Sequence, residues 1–257
     1  MVLGDEALQA VRGAARIIVD SSYVTCLTGA GISVESGIRP FRGPGGLWTE
    51  KGEPPMDGYQ RFLRDPKAYW ERRVKDVSEF GISILGAKPN TGHLALAELE
   101  RMGVLRWLIT QNIDNLHIAA GSKNVLEIHG NSTFLRCVGC SERWPMADFR
   151  LEDIPPRCPE CGGVVKSDTV MFGEPIPERV LARCFEEADR SDCMMVAGTS
   201  ATVTPAASLP VMVKRGRGRL VEFNVRSSEI SSICDANVYA PSGESLPVLV
   251  DEIRRLV

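Results

Sequence analysis

Four cysteines pose the first chemical question. Cys137-Val138-Gly139-Cys140 and Cys158-Pro159-Glu160-Cys161 are tight pairs separated by seventeen residues, and Gly162-Gly163 follows the second. Each pair offers two thiolates from one turn, and two such turns face to face complete the four-sulfur shell that Zn2+ prefers. A shell filled by protein leaves no position for water or substrate, so the spacing points to a structural ion rather than a catalytic one. Two disulfides or four free thiols are the alternatives. Cys26, Cys184, Cys193 and Cys234 fall in apolar or helical contexts, where a buried small hydrophobe is the default.

A second candidate is the loop Gly29-Ala30-Gly31-Ile32-Ser33. Glycine at a strand end lets backbone amides approach a pyrophosphate at a helix N-terminus. A short Gly-x-Gly is equally at home in an ordinary tight turn. Further polar loops follow other β-prone runs: Thr110-Gln111-Asn112-Ile113-Asp114, His129-Gly130, Gly198-Thr199-Ser200 and Asn224-Val225. Each taken singly reads as a cap or turn. Their joint occurrence at successive strand ends lines one edge of a sheet with polar groups, where open α/β sheets bind ligands. Of the three histidines, His93 and His117 read as structural, and His129 stands between cap and catalyst.

These loops need elements to hold them. From Asp5, placed to cap, Leu8, Val11, Ala15 and Ile18 recur at helical spacing. The β-prone run Tyr23 to Thr28 follows, then a helix from Thr91 to Met102, a strand from Val104 to Thr110 and a short strand from Val125 to Ile128. Beyond these the pattern predicts a helix over Pro177 to Asp189, a strand Cys193 to Ala197, a helix Pro205 to Lys214, a strand Arg219 to Phe223 and a helix Glu244 to Leu256. Such alternation argues for a mostly parallel sheet covered on both faces. Two stretches interrupt it. Residues 39–88 open on the Gly/Pro-rich Arg42 to Gly46 and run into a charged helical segment around Asp65 to Phe80; residues 132–168 hold the cysteine pairs and little periodicity. Both read as insertions that together form a smaller module.

The 257 residues carry 44% hydrophobic and 25% charged side chains, an ordinary globular composition, with a formal net charge of −3. That balance argues against direct nucleic-acid binding. No run approaches the roughly 18 apolar residues of a membrane span, and Met1 to Gln9 is acidic and polar. The expectation is a cytoplasmic protein with no membrane partner.

Taken in order, Gly29 to Ser33 with Ser36-Gly37-Ile38 and Phe41-Arg42, Thr110 to Asp114 with Leu116-His117, His129-Gly130, the cysteine quartet, Phe172-Gly173-Glu174 and Gly198-Thr199-Ser200 resemble the sirtuins, NAD-dependent protein-lysine deacylases. The matches span about residues 26–247. The resemblance implies a Rossmann-like α/β domain in three parts (1–38, 89–131 and 169–257), with a cofactor loop and helical insertion (39–88) and a zinc-ribbon insertion (132–168) forming the small module. It implies NAD and structural Zn2+ as cofactors, an acyl-lysine protein or peptide as partner, and acyl transfer to ADP-ribose with release of nicotinamide.

By the same resemblance Gly29, Ala30, Gly31, Ser33, Gly198, Thr199 and Ser200 line the phosphates, and Asn224, Val225 and Ala240 the adenosine. Gln111, Asn112, Ile113 and Asp114, with Ile32, form the nicotinamide pocket, while Phe41 and Arg42 close over the cofactor. His129 becomes the general base, with Asn112 and Asp114 catalytic beside it; a neutral imidazole suits that role at neutral pH. Val170, Phe172, Gly173 and Glu174 pair with an extended substrate.

Two departures matter. Arg39-Pro40 stands where the family carries Pro then Asp or Thr before Phe-Arg, which bears on cofactor-loop closure. The family's acidic-acyl signature Tyr-x-x-Arg is matched by Trp70 to Arg73 without the phenol, favouring acetyl or other neutral groups over succinyl or malonyl. The runner-up activity on the same fold is a mono-ADP-ribosyltransferase or NAD-cleaving enzyme.

Overall fold

The computed structural model describes residues 3–75, 84, 86–150 and 153–257. Six parallel strands form the main sheet: β1 (Val24–Thr28), β2 (Leu105–Thr110), β3 (Val125–Glu127), β7 (Cys193–Ala197), β8 (Arg219–Asn224) and β9 (Ala236–Tyr239). Their spatial order is β3-β2-β1-β7-β8-β9. The chain therefore works outward from β1 in one direction, then returns to its other side. The change of direction between β1 and β7 opens a crevice beyond their carboxyl ends, the position where doubly wound sheets take ligands.

Strand alternation explains why β1 and β7 are buried throughout. Cys26, Met195, Val221 and Phe223 face a layer made by α1 (Asp5–Val19), α5 (Thr91–Arg101) and α9 (Ser242–Leu256), where Ile18, Leu96, Leu99, Leu249 and Ile253 pack. Leu27, Met194, Val196 and Leu220 face α7 (Glu178–Asp189) and α8 (Ser208–Arg215), against Cys184, Leu209 and Val213. Burying a side chain of this size contributes about 1.5–3 kcal/mol. Both layers together hold the strand ends in fixed register.

The sequence expectation for this domain holds, with local corrections. Asp5 does not cap α1; Gly4 is the N-cap, and Asp5 lies in the first turn, where its charge complements the helix dipole. The helix expected from Pro205 begins at Ser208. Strand β9 had no sequence counterpart, being four residues of mixed exposure.

A second, antiparallel sheet has β4 (Phe134–Cys137) between β5 (Arg143–Pro145) and β6 (Val165–Ser167). Strands this short leave no readable period, which is why residues 132–168 looked irregular. Against this sheet packs α4 (Pro66–Lys75) through Trp70, with α3 (Gly58–Arg64) beside α4 through Phe62 and Tyr69, preceded by the short α2 (Leu47–Lys51). The expected charged helix from Asp65 is α4; its continuation over 76–80 lies outside the described residues. Among the described residues no helix is long and apolar enough to cross a membrane.

Candidate active site and metal centre

Gln111 is the joint of the crevice. Its backbone N–H donates to Thr28 O (3.0 Å), and its side-chain Nε2 donates to Thr28 O (3.2 Å) and to Thr199 Oγ1 (2.9 Å), so one residue ties the ends of β2, β1 and β7 together. The glycine loops close the same seam. Gly31 N donates to Gly198 O at 2.7 Å. Gly198 has φ +63°, and a Cβ there would stand 2.3 Å from Ile32 N. Only glycine allows both the left-handed turn and that contact. The resulting backbone cradle at the start of the 3-10 turn Ala30–Ser36 is braced from within, the N–H groups of Gly29, Gly31 and Gly198 being spent on Ala197 O, Gly198 O and Phe223 O.

Asn112, Ser33 and Asp114 are buried side by side. Asn112 Nδ2 donates to Gly29 O and to Ser33 Oγ, both at 3.1 Å; Ser33 Oγ donates to Asp114 Oδ2 at 2.7 Å; Leu116 N donates to Asp114 Oδ1 at 3.0 Å. Ala30, Ser33, Ile38, Phe41, Ile84, Asn112, Ile113 and Asp114 line a small, partly open pocket. Apolar walls with a fixed amide and carboxylate are the lining that suits a flat polar ring and shields a reacting carbon from water. Two expected members stand elsewhere. Ile32 is fully buried in the core under the sheet, and Gln111 is spent on the seam. Ile38 and Ile84 take the apolar places, brought in from regions whose sequence gave no periodic signal.

His129 follows β3. Its Nδ1 is 3.1 Å from Gln111 O, and a carbonyl can only accept, so Nδ1 carries the proton and Nε2 keeps its lone pair. Burial pushes its pKa below the usual 6.5, against an opposing pull from that hydrogen bond. The ring is thus a neutral base at pH 7. His93 and His117 lie behind the pocket with ring centroids 4.8 Å apart. His93 Nδ1 accepts from Asn90 N, closing the capping box of α5, and its Nε2 stands 3.4 Å from Ser33 Oγ; His117 Nε2 contacts Thr28 Oγ1 at 3.0 Å.

Burial pushes His93 down to about 4, with Asp114 opposing, and pushes His117 well below its ordinary value. An unfolded chain protonates both histidines near 6.5, whereas the folded chain keeps them neutral, so stability is full above that pH and is lost as pH falls toward about 4. Thermal melts are expected to shift downward on going from about pH 7 to about pH 5. A melting temperature flat across that window would contradict a buried neutral pair.

Asn224 Nδ2 donates to Thr199 O at 2.9 Å, and Ala240 N to Asn224 O at 3.0 Å, placing both at the β8 and β9 end of the crevice. Val225 and Ser200 are exposed beside them. Over the mouth, Phe41 stacks near Trp48 (4.6 Å) and Trp48 near Phe172 (5.5 Å), while Arg42 pairs with Glu53 (2.8 Å) and reaches Thr202 Oγ1 at 3.2 Å. Pro40 does not unseat this loop: Pro40 O accepts from Leu47 N at 2.8 Å, and Arg39 donates to Gly45 O.

The substrate-facing expectations need correction. Trp70 is fully buried, its Nε1 donating to Val165 O at 2.8 Å within the small-module core, so it offers nothing to an acyl group. The phenol beside Arg73 belongs to Tyr69, one position earlier; burial raises its pKa and the guanidinium opposes. Glu174 is turned inward to Arg136 and Lys166. The carbonyls of Phe172 and Gly173 accept from Tyr59 N (3.0 Å) and Gln60 Nε2 (3.2 Å), which pins this segment to α3.

The four cysteine sulfurs lie within 4.8 Å of one another, with Cys137 and Cys161 3.5 Å apart and Cys140 and Cys158 3.7 Å apart. A Zn–S bond of about 2.3 Å gives a tetrahedral edge of about 3.8 Å, while a disulfide needs about 2.05 Å. The quartet fits zinc and excludes the disulfide alternative in this arrangement. It stands in the small module, apart from the crevice.

Comparison with known proteins fits this geometry. The Sir2 family model matches residues 29–205. An NAD-dependent protein deacylase of Pyrococcus furiosus is 44% identical over 249 residues, covering 94% of this chain and 97% of that protein. The chain belongs to the Sir2 family. Solved Sir2 structures superpose closely on this Sir2 protein: a mutant homologue bound to ADP-ribose has a TM-score of 0.83 at 39% identity, covering 95% of this chain and 96% of the other. A Sir2 complex with p53 peptide and NAD+ has a TM-score of 0.78 at 33% identity, covering 93% and 97%. In Sir2 terms the sheet, the crevice and the cysteine quartet occur together here, as the order of motifs implied.

Proposed function

We propose that this Sir2 protein is an NAD-dependent protein-lysine deacylase that passes the acyl group of a modified lysine to ADP-ribose and releases nicotinamide. The observation that carries the reading is the neutral, tautomer-fixed His129 held by the same Gln111 that joins the glycine cradle. Bound NAD supplies the ADP-ribosyl acceptor once its nicotinamide has left. Gly31 and Gly198, their N–H groups spent on Gly198 O and Phe223 O, fix the shape of the loop in which Ala30 and Ser200 border the diphosphate, and Asn224 and Ala240 border the adenosine. Asn112 and Asp114 orient the nicotinamide ring, while Ile38, Ile84 and Phe41 keep bulk water from the ribose. His129 Nε2 accepts a proton from a ribose hydroxyl, which turns that oxygen into a nucleophile.

An acyl-lysine peptide enters as an extended strand between the two sheets, so recognition is tolerant of sequence. Acetyl and other neutral acyl groups stand beside acidic ones in this reading, because Tyr69 beside Arg73 supplies the phenol whose lack was the ground for setting acidic acyls aside. The division at 38, 88, 131 and 168 belongs to the same proposal, with the small module carrying structural zinc. Cytoplasmic residence is supported by eight unbridged cysteines, and a net charge of −3 favours peptide over nucleic acid as partner.

Incubation with NAD and an acetyl-lysine peptide tests the reading. Peptide-dependent nicotinamide release with formation of acetyl-ADP-ribose is expected. Release that ignores the peptide would instead support the NAD-cleaving alternative.

A further inference from the structure

Six charged side chains form a network between the cysteine quartet and the crevice. Arg136 precedes Cys137 on β4. Its Nε donates to Asp168 Oδ1 at 3.0 Å and its Nη2 to Glu174 Oε1 at 2.6 Å. Lys166 Nζ pairs with Glu174 at 3.0 Å, and Arg143 pairs with Asp168 at 2.9 Å and with Glu127 at 2.6 Å. Three cations meet three carboxylates, so the burial of Arg136 (10% side-chain exposure), Asp168 (6%), Glu174 (4%) and Lys166 (1%) leaves no net charge. The arrangement is neutral as a unit and intolerant of losing a member.

The network's two acidic ends bracket the segment 168–174. At one end Asp168 Oδ2 accepts from Asn131 N at 3.0 Å, Val170 N donates to His129 O at 2.9 Å, and Gly130 lies so close that a Cβ would stand 2.1 Å from Asp168 O. At the other, Glu174 Oε2 accepts from Met171 N at 2.9 Å. Asn131 Nδ2 then reaches Asn115 Oδ1 at 2.9 Å, next to Asp114. One guanidinium therefore grips both ends of a seven-residue segment whose first end is paired with the backbone of His129.

We infer that Arg136 is a positioning residue, fixing the path of residues 168–174, on which the acyl-lysine peptide docks, and the seat of His129 beside it. The inference rests on the deacylase reading. A guanidinium presents separate N–H groups in a rigid fork and can serve two carboxylates at once, whereas an ammonium is a point charge that favours one geometry. Arg136→Lys thus keeps the charge balance and removes the bridge.

Steady-state kinetics with NAD and an acetyl-lysine peptide, together with zinc content, test this. Arg136→Lys is expected to raise the peptide KM by about tenfold while the NAD KM changes less than about twofold and a full equivalent of zinc remains bound. The split is the diagnostic, because general loosening of the fold would move both KM values. Glu174→Asp keeps the charge balance and draws the carboxylate back by one methylene, opening the other end of the grip, and the same split is expected; it decides the matter if Arg136→Lys does not fold. Unchanged peptide KM in a zinc-replete variant overturns the inference, as does a parallel rise in both KM values or loss of zinc with the rise. An unmutated protein without peptide-dependent nicotinamide release overturns the deacylase reading itself, a result separable from active protein with indifferent variants.

Discussion

Replacing His129 with alanine is expected to reduce deacylation by about 10²- to 10⁴-fold, the contribution of a positioned general base, while NAD still binds. The two halves of that expectation come from different contacts. Catalysis needs Nε2 unprotonated, and the structure secures this twice: Nδ1 is committed to Gln111 O, and burial holds the pKa below 6.5. Binding needs the glycine cradle and the Gln111 seam, and Gln111 keeps its bonds to Thr28 O and Thr199 Oγ1 when the imidazole is gone. Calorimetry with NAD and a deacylation assay on the same preparation separate the two. Turnover near the unmutated rate would remove His129 from the chemistry; loss of NAD binding together with turnover would make it a structural prop.

The parts of this molecule legible in its sequence are those where one local rule dominates. Strand β7 is an uninterrupted apolar run because both its faces are covered, and its bounds coincide with the expected Cys193 to Ala197. Helix α5 begins where Asn90 accepts from the amides of Gly92 and His93, and ends at Gly103 with φ +76°. The cysteine quartet was readable because each pair is a turn in itself. What stayed hidden depends on contacts distant in sequence. Arg136 meets partners 32 and 38 residues away, so nothing near it marks it as a hub. Glu174 sits in a motif that speaks of substrate, yet motif position does not say which way a side chain turns. Spacing in an insertion without a clear period does not distinguish inward from outward, so the stretch Trp70 to Arg73 does not reveal that the indole turns inward and leaves the adjacent phenol of Tyr69 beside Arg73.

Replacing Cys140 with serine is expected to release zinc, lower the melting temperature by on the order of 5–10 °C and raise the peptide KM. Among the described residues the small module's buried apolar cluster is Trp70, Leu135, Cys137, Cys158 and Val165, two of which are themselves metal ligands, with Tyr69, Trp144, Met146 and Phe149 packed against it. So small a cluster does not by itself offset the entropy of ordering the strands around it. Metal binding then supplies part of the folding free energy directly, on the order of 10 kcal/mol in isolated zinc modules. The damage should travel in one direction. Cys137 is followed back along β4 by Arg136, so a loosened quartet releases Asp168 and Glu174, whereas the seam at Thr28, Gln111 and Thr199 belongs to the large sheet. NAD affinity is therefore expected to fall less than peptide affinity. Zinc analysis, thermal melting and separate KM values for the two substrates check the order of effects. A zinc-free variant as stable and active as the parent would show that the thiols, and not the ion, organise the module.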